Sequence, residues 1–161
     1  MNVILVYGLV LAIGCATLPP MTENPQEEFP RDFRIEVLTG GLHPWEESDH
    51  LTIDASGHGH LKTYVPEDVG VPPLKECRFQ LSNDSLEELW TMLRDQGFFA
   101  LETEIQDEEV EGGLFLTVSV TAHDKTHRVN SENTSVPQLS AVMDLLEEIL
   151  PSDCRPRGYD V

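Results

Sequence analysis

The sequence predicts an α+β domain, a mainly antiparallel sheet of about six strands with two helices packed on one face, in the order β-β-β-β-α-β-β-α. Three observations carry this. Segments of alternating apolar and polar residues recur along the chain, the mark of strands with one buried face. Two later segments place apolar residues three and four apart, the mark of helices with one buried stripe. An antiparallel sheet can cover one face with helices and leave the other to solvent, so a single architecture satisfies all these half-apolar elements.

The first strand is Phe33 to Thr39, in which Phe33, Ile35 and Val37 alternate with Arg34 and Glu36, and Gly40-Gly41 ends it. Leu51, Ile53 and Ala55 alternate with Thr52, Asp54 and Ser56 as the second. After a glycine-marked turn, Leu61, Thr63 and Val65 form the third. Pairing Ile53 with Leu61 sets Ala55 against Gly59 and leaves Ser56-Gly57-His58 as the loop. A Pro/Gly stretch, Pro66 to Pro73, precedes a fourth strand with Cys77, Phe79 and Leu81 on one side.

The first helix carries Leu86, Leu89, Trp90 and Leu93. Ser82-Asn83-Asp84-Ser85 offers several N-caps, Ser85 with Glu88 fits a capping box, and Gly97 is the stop. Phe98, Phe99 and Leu101 are expected to pack under its end, before an acidic loop. Leu114 to Ala122 alternates over a long strand, and Lys125 to Asn130 returns beside it. A two-residue turn pairing Ala122 with His127 and Val120 with Val129 matches the apolar face. Ser135-Val136-Pro137-Gln138 reads as a second capping box. It opens a helix with Leu139, Val142, Met143, Leu146, Ile149 and Leu150 on one stripe, ended by Pro151.

The chain has 161 residues and a formal net charge of −19, and none of its first 22 residues is charged. The folded part is therefore strongly acidic, which excludes duplex nucleic acid as a ready partner and repels anionic lipid heads. Membrane contact would need a hydrophobic anchor. Residues 3–16 supply a candidate, the apolar run VILVYGLVLAIGCA. It has the length of a secretory h-region and is short of the roughly 20 residues of a membrane span.

That run ends Leu11-Ala12-Ile13-Gly14-Cys15, which resembles a bacterial lipobox, where a small residue precedes the lipidated cysteine. The resemblance implies that Cys15 is a lipid anchor and that the protein is exported and tethered in the bacterial cell envelope. Cleavage after the small residues around Cys15 to release a soluble exported protein, retention as an uncleaved anchor, and a buried strand are the alternatives. The expected organisation is an export signal over 1–15, a Pro-rich tether over 16–31, the α+β domain over 32–151 and a C-terminal tail over 152–161.

Cysteine supplies one further expectation. With Cys15 acylated, Cys77 and Cys154 remain, and an exported chain sits where disulfides persist. They form either a long-range bridge or two free thiols. No CxxC occurs, so zinc-ribbon and thioredoxin-type chemistry have no support.

No catalytic apparatus is visible: there is no nucleophile elbow, HExxH, P-loop or dinucleotide fingerprint. His58 and His60 fall at a hairpin as expected surface residues. The expected register splits His123 and His127 between opposite faces, away from shared metal ligation. Glu102 to Glu111 holds six acids but lacks EF-hand spacing. No metal, cofactor or catalytic residue is therefore assigned. The loop Gly40-Gly41-Leu42-His43-Pro44-Trp45 is the candidate partner-binding segment, because glycines flank a tryptophan and tryptophan is enriched in interface hot spots.

Thr39-Gly40-Gly41, Leu51 to Gly57, Leu81-Ser82 before Ser85-Leu86-Glu87-Glu88-Leu89, Gly97-Phe98-Phe99, Thr117 to Val120 and the Pro137 helix start together resemble small bacterial domains of unknown function often found on lipoproteins. The layout over residues 33–150 is also similar to that of emfourin-like inhibitors of thermolysin-type metalloproteases, and carries over no inhibitory residue. Three functions follow as expectations. The first is a cell-envelope binding module, held to the membrane by lipid and facing a protein partner. The second is a metalloprotease inhibitor, and the third an enzyme whose site the sequence does not reveal.

Overall fold

The computed structural model describes residues 28–41, 46–65, 72–106 and 114–156. The expected export signal with Cys15, most of the tether, and Leu42, His43 and Trp45 of the candidate loop lie outside the described residues.

The architecture is α+β. Strands β1 (Arg34–Gly41), β2 (Ser48–Asp54), β3 (His58–Tyr64), β4 (Lys75–Gln80), β5 (Glu104–Gln106), β6 (Leu114–Ala122) and β7 (Lys125–Glu132) form one sheet in the order β4-β3-β2-β1-β6-β7-β5. Every pairing is antiparallel except that of β5 with β7. The helices are α1 (Asn83–Asp95) and α2 (Pro137–Ile149).

The sheet has seven strands where about six were expected. The additional one, β5, lies inside the acidic run and pairs Glu104 to Gln106 with Asn130 to Glu132. Three residues with one half-buried side chain, Ile105, are too short to produce an alternating signal.

Alternation sets the two faces. In β1, Ile35, Val37 and Thr39 are buried while Arg34, Glu36 and Leu38 are exposed or half-buried. The same phase buries Leu51 and Ile53 of β2, Leu61 of β3, Leu116, Val118 and Val120 of β6 and Val129 of β7. These side chains form one cluster with Leu86, Leu89, Trp90 and Leu93 of α1 and Leu139, Val142, Met143 and Leu146 of α2. Each fully buried aliphatic side chain contributes about 1.5–3 kcal/mol, so this face holds the fold together.

Both hairpins keep the expected face and shift the expected register by two. Leu61 lies opposite Leu51, and Ile53 opposite Gly59. The Asp54 carboxylate sets the turn one residue earlier than expected: it accepts from the Ser56 amide at 2.9 Å and the His58 amide at 3.1 Å, while Gly57 N–H donates to the Asp54 carbonyl. Gly59 must lack a side chain, because a Cβ there would collide with the Phe79 ring on β4. In the second hairpin Val118 pairs with Val129, Val120 with His127 and Ala122 with Lys125. Its turn is His123-Asp124, with φ of 52° and 60°, the left-handed pair of a two-residue hairpin turn.

The helix caps match expectation in part. Of the N-caps offered by Ser82 to Ser85, Ser82 caps α1, its hydroxyl accepting from the Ser85 amide at 3.1 Å. The N-cap of α2 is Val136, with no side-chain cap, and Pro137 occupies the first turn, where its missing N–H is not needed. The Ser135 capping box does not form. Gly97 takes the left-handed conformation (φ 72°) just past α1.

Packing extends to both sides of the 32–151 unit. Pro30 is buried, and the Phe29 ring packs tilted against Phe33 with centroids 5.2 Å apart. Beyond α2, Ser152–Cys154 makes a 3-10 turn, and Cys154, 2% exposed, forms a disulfide with Cys77 (Cα–Cα 5.4 Å). The bridge ties the chain after α2 to the edge strand β4.

Candidate functional site

The face of the sheet away from the helices is polar. Glu36, His50, Thr52, His60, Lys62, Tyr64, Arg78, Ser119, Arg128 and Asn130 all lie in the phase opposite the buried apolar residues. Arg34, Lys62, Arg78 and Arg128, four of the chain's ten Lys and Arg residues, stand there among Glu36, Asp54, Glu76, Glu104 and Glu132. In a chain of −19 this face is close to neutral.

Most of these groups neutralise one another. Arg34 bonds Glu36 at 2.6 Å. His60 Nε2 lies 2.7 Å from Glu76, and the Arg78 guanidinium 2.9 Å from the same oxygen. The Arg78 guanidinium first, and His60 second, hold the Glu76 carboxyl below its ordinary value. Asn130 accepts from Thr117 and Arg128 and donates to Glu104.

Between the paired groups lies an open depression of about 220 Å³ lined by Glu36, Leu38, His50, Tyr64, Thr117, Ser119 and Arg128. The register explains it. Glu36, Ser119 and Arg128 form one cross-strand row, and His50, Leu38 and Thr117 the next. Strands are about 4.8 Å apart, so Glu36 and Arg128 stand roughly 10 Å apart at the backbone with only short Ser119 between. Burial holds His50 below the ordinary imidazole range, with Glu36 opposing and Arg34, Lys62 and His60 reinforcing. His50 is therefore a neutral donor and acceptor at pH 7.

The sequence-singled histidines are placed differently from expectation in part. His58 is exposed, with Nδ1 2.5 Å from the Ser56 hydroxyl. His60 lies on the open face as expected but is half-buried in its ion-pair group. His123 and His127 were expected on opposite faces. Both instead pack on one aromatic group: His123 against Trp90 at 6.0 Å, His127 against Phe98 at 5.4 Å and Phe99 at 6.1 Å. The register shift puts His123 into the turn, while His127, on the helix side in either register, now lies opposite Val120. Asp32 braces that turn, accepting from the His123 amide at 2.8 Å and the Asp124 amide at 2.7 Å.

Among the described residues Cys77, Asp153 and Cys154 form a cluster with metal-ligand spacing, but both sulfurs are consumed in the disulfide. A second depression, about 340 Å³, lies between residues 28–32 and the His123-Asp124 turn, lined by Glu28, Phe29, Pro30, Arg31 and Asp32 with the turn residues. Gly40 and Gly41 end β1, Gly40 opposite Ser48, while Leu42, His43 and Trp45 lie outside the described residues.

Sequence reasoning missed the depression. Its residues come from five strands, and each looks like an ordinary outward-facing position in its own segment. No protein-family model matches the chain, and no curated protein matches it.

Proposed function

We propose that the chain is an exported, membrane-tethered binding module whose working surface is the open face of the sheet. The observation that carries this is the asymmetry of the sheet: helices and core occupy one face, and the other presents a near-neutral polar surface with a depression at its centre. On so acidic a protein, a near-neutral face is where a partner meets least repulsion. The charged groups there are mostly paired with one another, which suits binding better than proton transfer.

The tether rests on the lipobox-like end at Cys15 and on the acidity that would otherwise keep the domain off an anionic surface. Among the described residues no helix is long and apolar enough to cross a membrane.

Photo-crosslinking in the native envelope tests the surface. A crosslinking side chain at Thr52, Ser119 or Thr126 is expected to give a discrete adduct, and one at Glu87, Glu88 or Glu147 on the helices none. Adducts from the helix positions alone would overturn the reading. Intact mass of the membrane-extracted chain tests the tether, with loss of residues 1–14 and added acyl chains on Cys15 as the expected result. Mass loss without acyl chains keeps export and removes the lipid.

A further inference from the structure

The depression gathers several hydrogen-bonding groups that have no partner among the described residues. Around it, Arg34, His60, Glu76, Arg78 and Asn130 are engaged with neighbours. Within it, the His50 ring, the Tyr64 hydroxyl and the Ser119 hydroxyl make no hydrogen bond among the described residues. Arg128 spends only Nε, on Asn130 at 3.1 Å, leaving both terminal nitrogens free to donate.

Thr117 donates its hydroxyl to Asn130 and Glu36 accepts from Arg34, so these two are already in use. What remains is a cationic fork, a phenol, an imidazole and a hydroxyl around the half-buried Leu38 side chain. Such a set is rich in donors and has one apolar patch.

Resting on the open-face reading, we propose that the depression takes the C-terminal carboxylate of a peptide whose last side chain is apolar. The Arg128 fork matches a carboxylate geometrically, with Ser119, Tyr64 and His50 as further donors. Carboxylate and terminal side chain leave the same Cα, so one residue in about 220 Å³ can meet both Arg128 and Leu38. Glu36 and the net charge of −19 disfavour a second negative charge, which selects a single carboxylate over phosphate.

The test is a two-dimensional NMR titration of the full chain in detergent micelles with three peptides. They are acetyl-Ala-Ala-Leu with a free C-terminus, the same peptide amidated, and acetyl-Ala-Glu-Leu amidated, which offers an acidic side chain only. The free acid is expected to give saturable shifts at Thr117, Ser119 and the Arg128 side chain, with a dissociation constant on the order of 1 mM. Arg128→Gln is expected to weaken it roughly tenfold or more while leaving the spectrum otherwise folded, and Arg128→Lys to restore part of the loss.

Equal binding by the amidated peptide overturns the carboxylate and leaves the open-face reading standing. Equal binding by the acidic-side-chain peptide overturns the choice of a C-terminus. Tighter binding of inorganic phosphate, or no saturable shift up to about 20 mM peptide, overturns the proposal. Shifts confined to α1 and α2 overturn the open-face reading as well.

Discussion

The helix side and the open side of the sheet are made from the same strands, one residue out of phase, and they carry different burdens. On the helix side Ile35, Val37, Leu51, Ile53, Leu61, Val118 and Val120 are at most 1% exposed and share one cluster with both helices. On the open side, the same strands present Arg34, Glu36, His50, His60 and Ser119, held by local ion pairs or unpartnered. Exposed ion pairs contribute about 0–1 kcal/mol, well below a buried leucine, so the open side contributes little to stability and is free to change with function. Stability and recognition are thereby separated across a single layer of backbone.

Substitutions on the helix side are expected to have the largest effect. Leu51 is fully buried in a central strand, and Leu51→Ala is expected to cost about 2–5 kcal/mol in urea denaturation. A loss under about 1 kcal/mol would mean that this face is not the principal core.

The Cys77–Cys154 bridge extends that core to the edge strand and closes a sequence separation of 77 residues. Replacing both cysteines with alanine is expected to lower stability by roughly 2–4 kcal/mol, with reductant then having no further effect on the urea midpoint. The Ser82 cap is a smaller contribution, and Ser82→Ala is expected to cost about 1 kcal/mol by the same measurement.

Asp32 offers a pH-dependent test at the end of the sheet. The Asp124 amide first, then the His123 amide, hold its carboxyl below the ordinary carboxylate range, with partial desolvation opposing. A depressed carboxyl contributes stability that is present above the unfolded value and is lost as pH falls through the folded one. Asp32→Asn is therefore expected to lower the thermal midpoint at pH 7, with the difference from wild type shrinking below about pH 4. An unchanged difference at low pH would show that the carboxylate charge is not what braces the turn.

The same comparison explains which features were legible in the sequence. Face assignment was, because alternation in Ile35–Val37 and Val118–Val120 and the three-four spacing of Leu86, Leu89, Trp90 and Leu93 are local signals. Register was not, because sliding a strand by two residues keeps every side chain on its face. Only the Asp54 hydrogen bonds and the His123-Asp124 turn choose between the two pairings. Strand order was hidden too: β1 pairs with β6, from which it is separated by four strands and a helix. The depression depends on that pairing, since Glu36 meets Ser119, and through it Arg128, only once β6 and β7 lie beside β1. Gly40 and Gly41 were legible as the end of β1.

The most direct test of this separation is also the one with the smallest expected effect. A triple variant, Glu36→Ala, His50→Ala and Arg128→Ala, removes the carboxylate, imidazole and guanidinium lining of the depression without touching the buried cluster. If the open face is a surface kept for binding, each change stays within about 0.5 kcal/mol and the urea midpoint and slope remain close to wild type. A loss of about 3 kcal/mol or more would contradict the account, because these residues would then be holding the fold together.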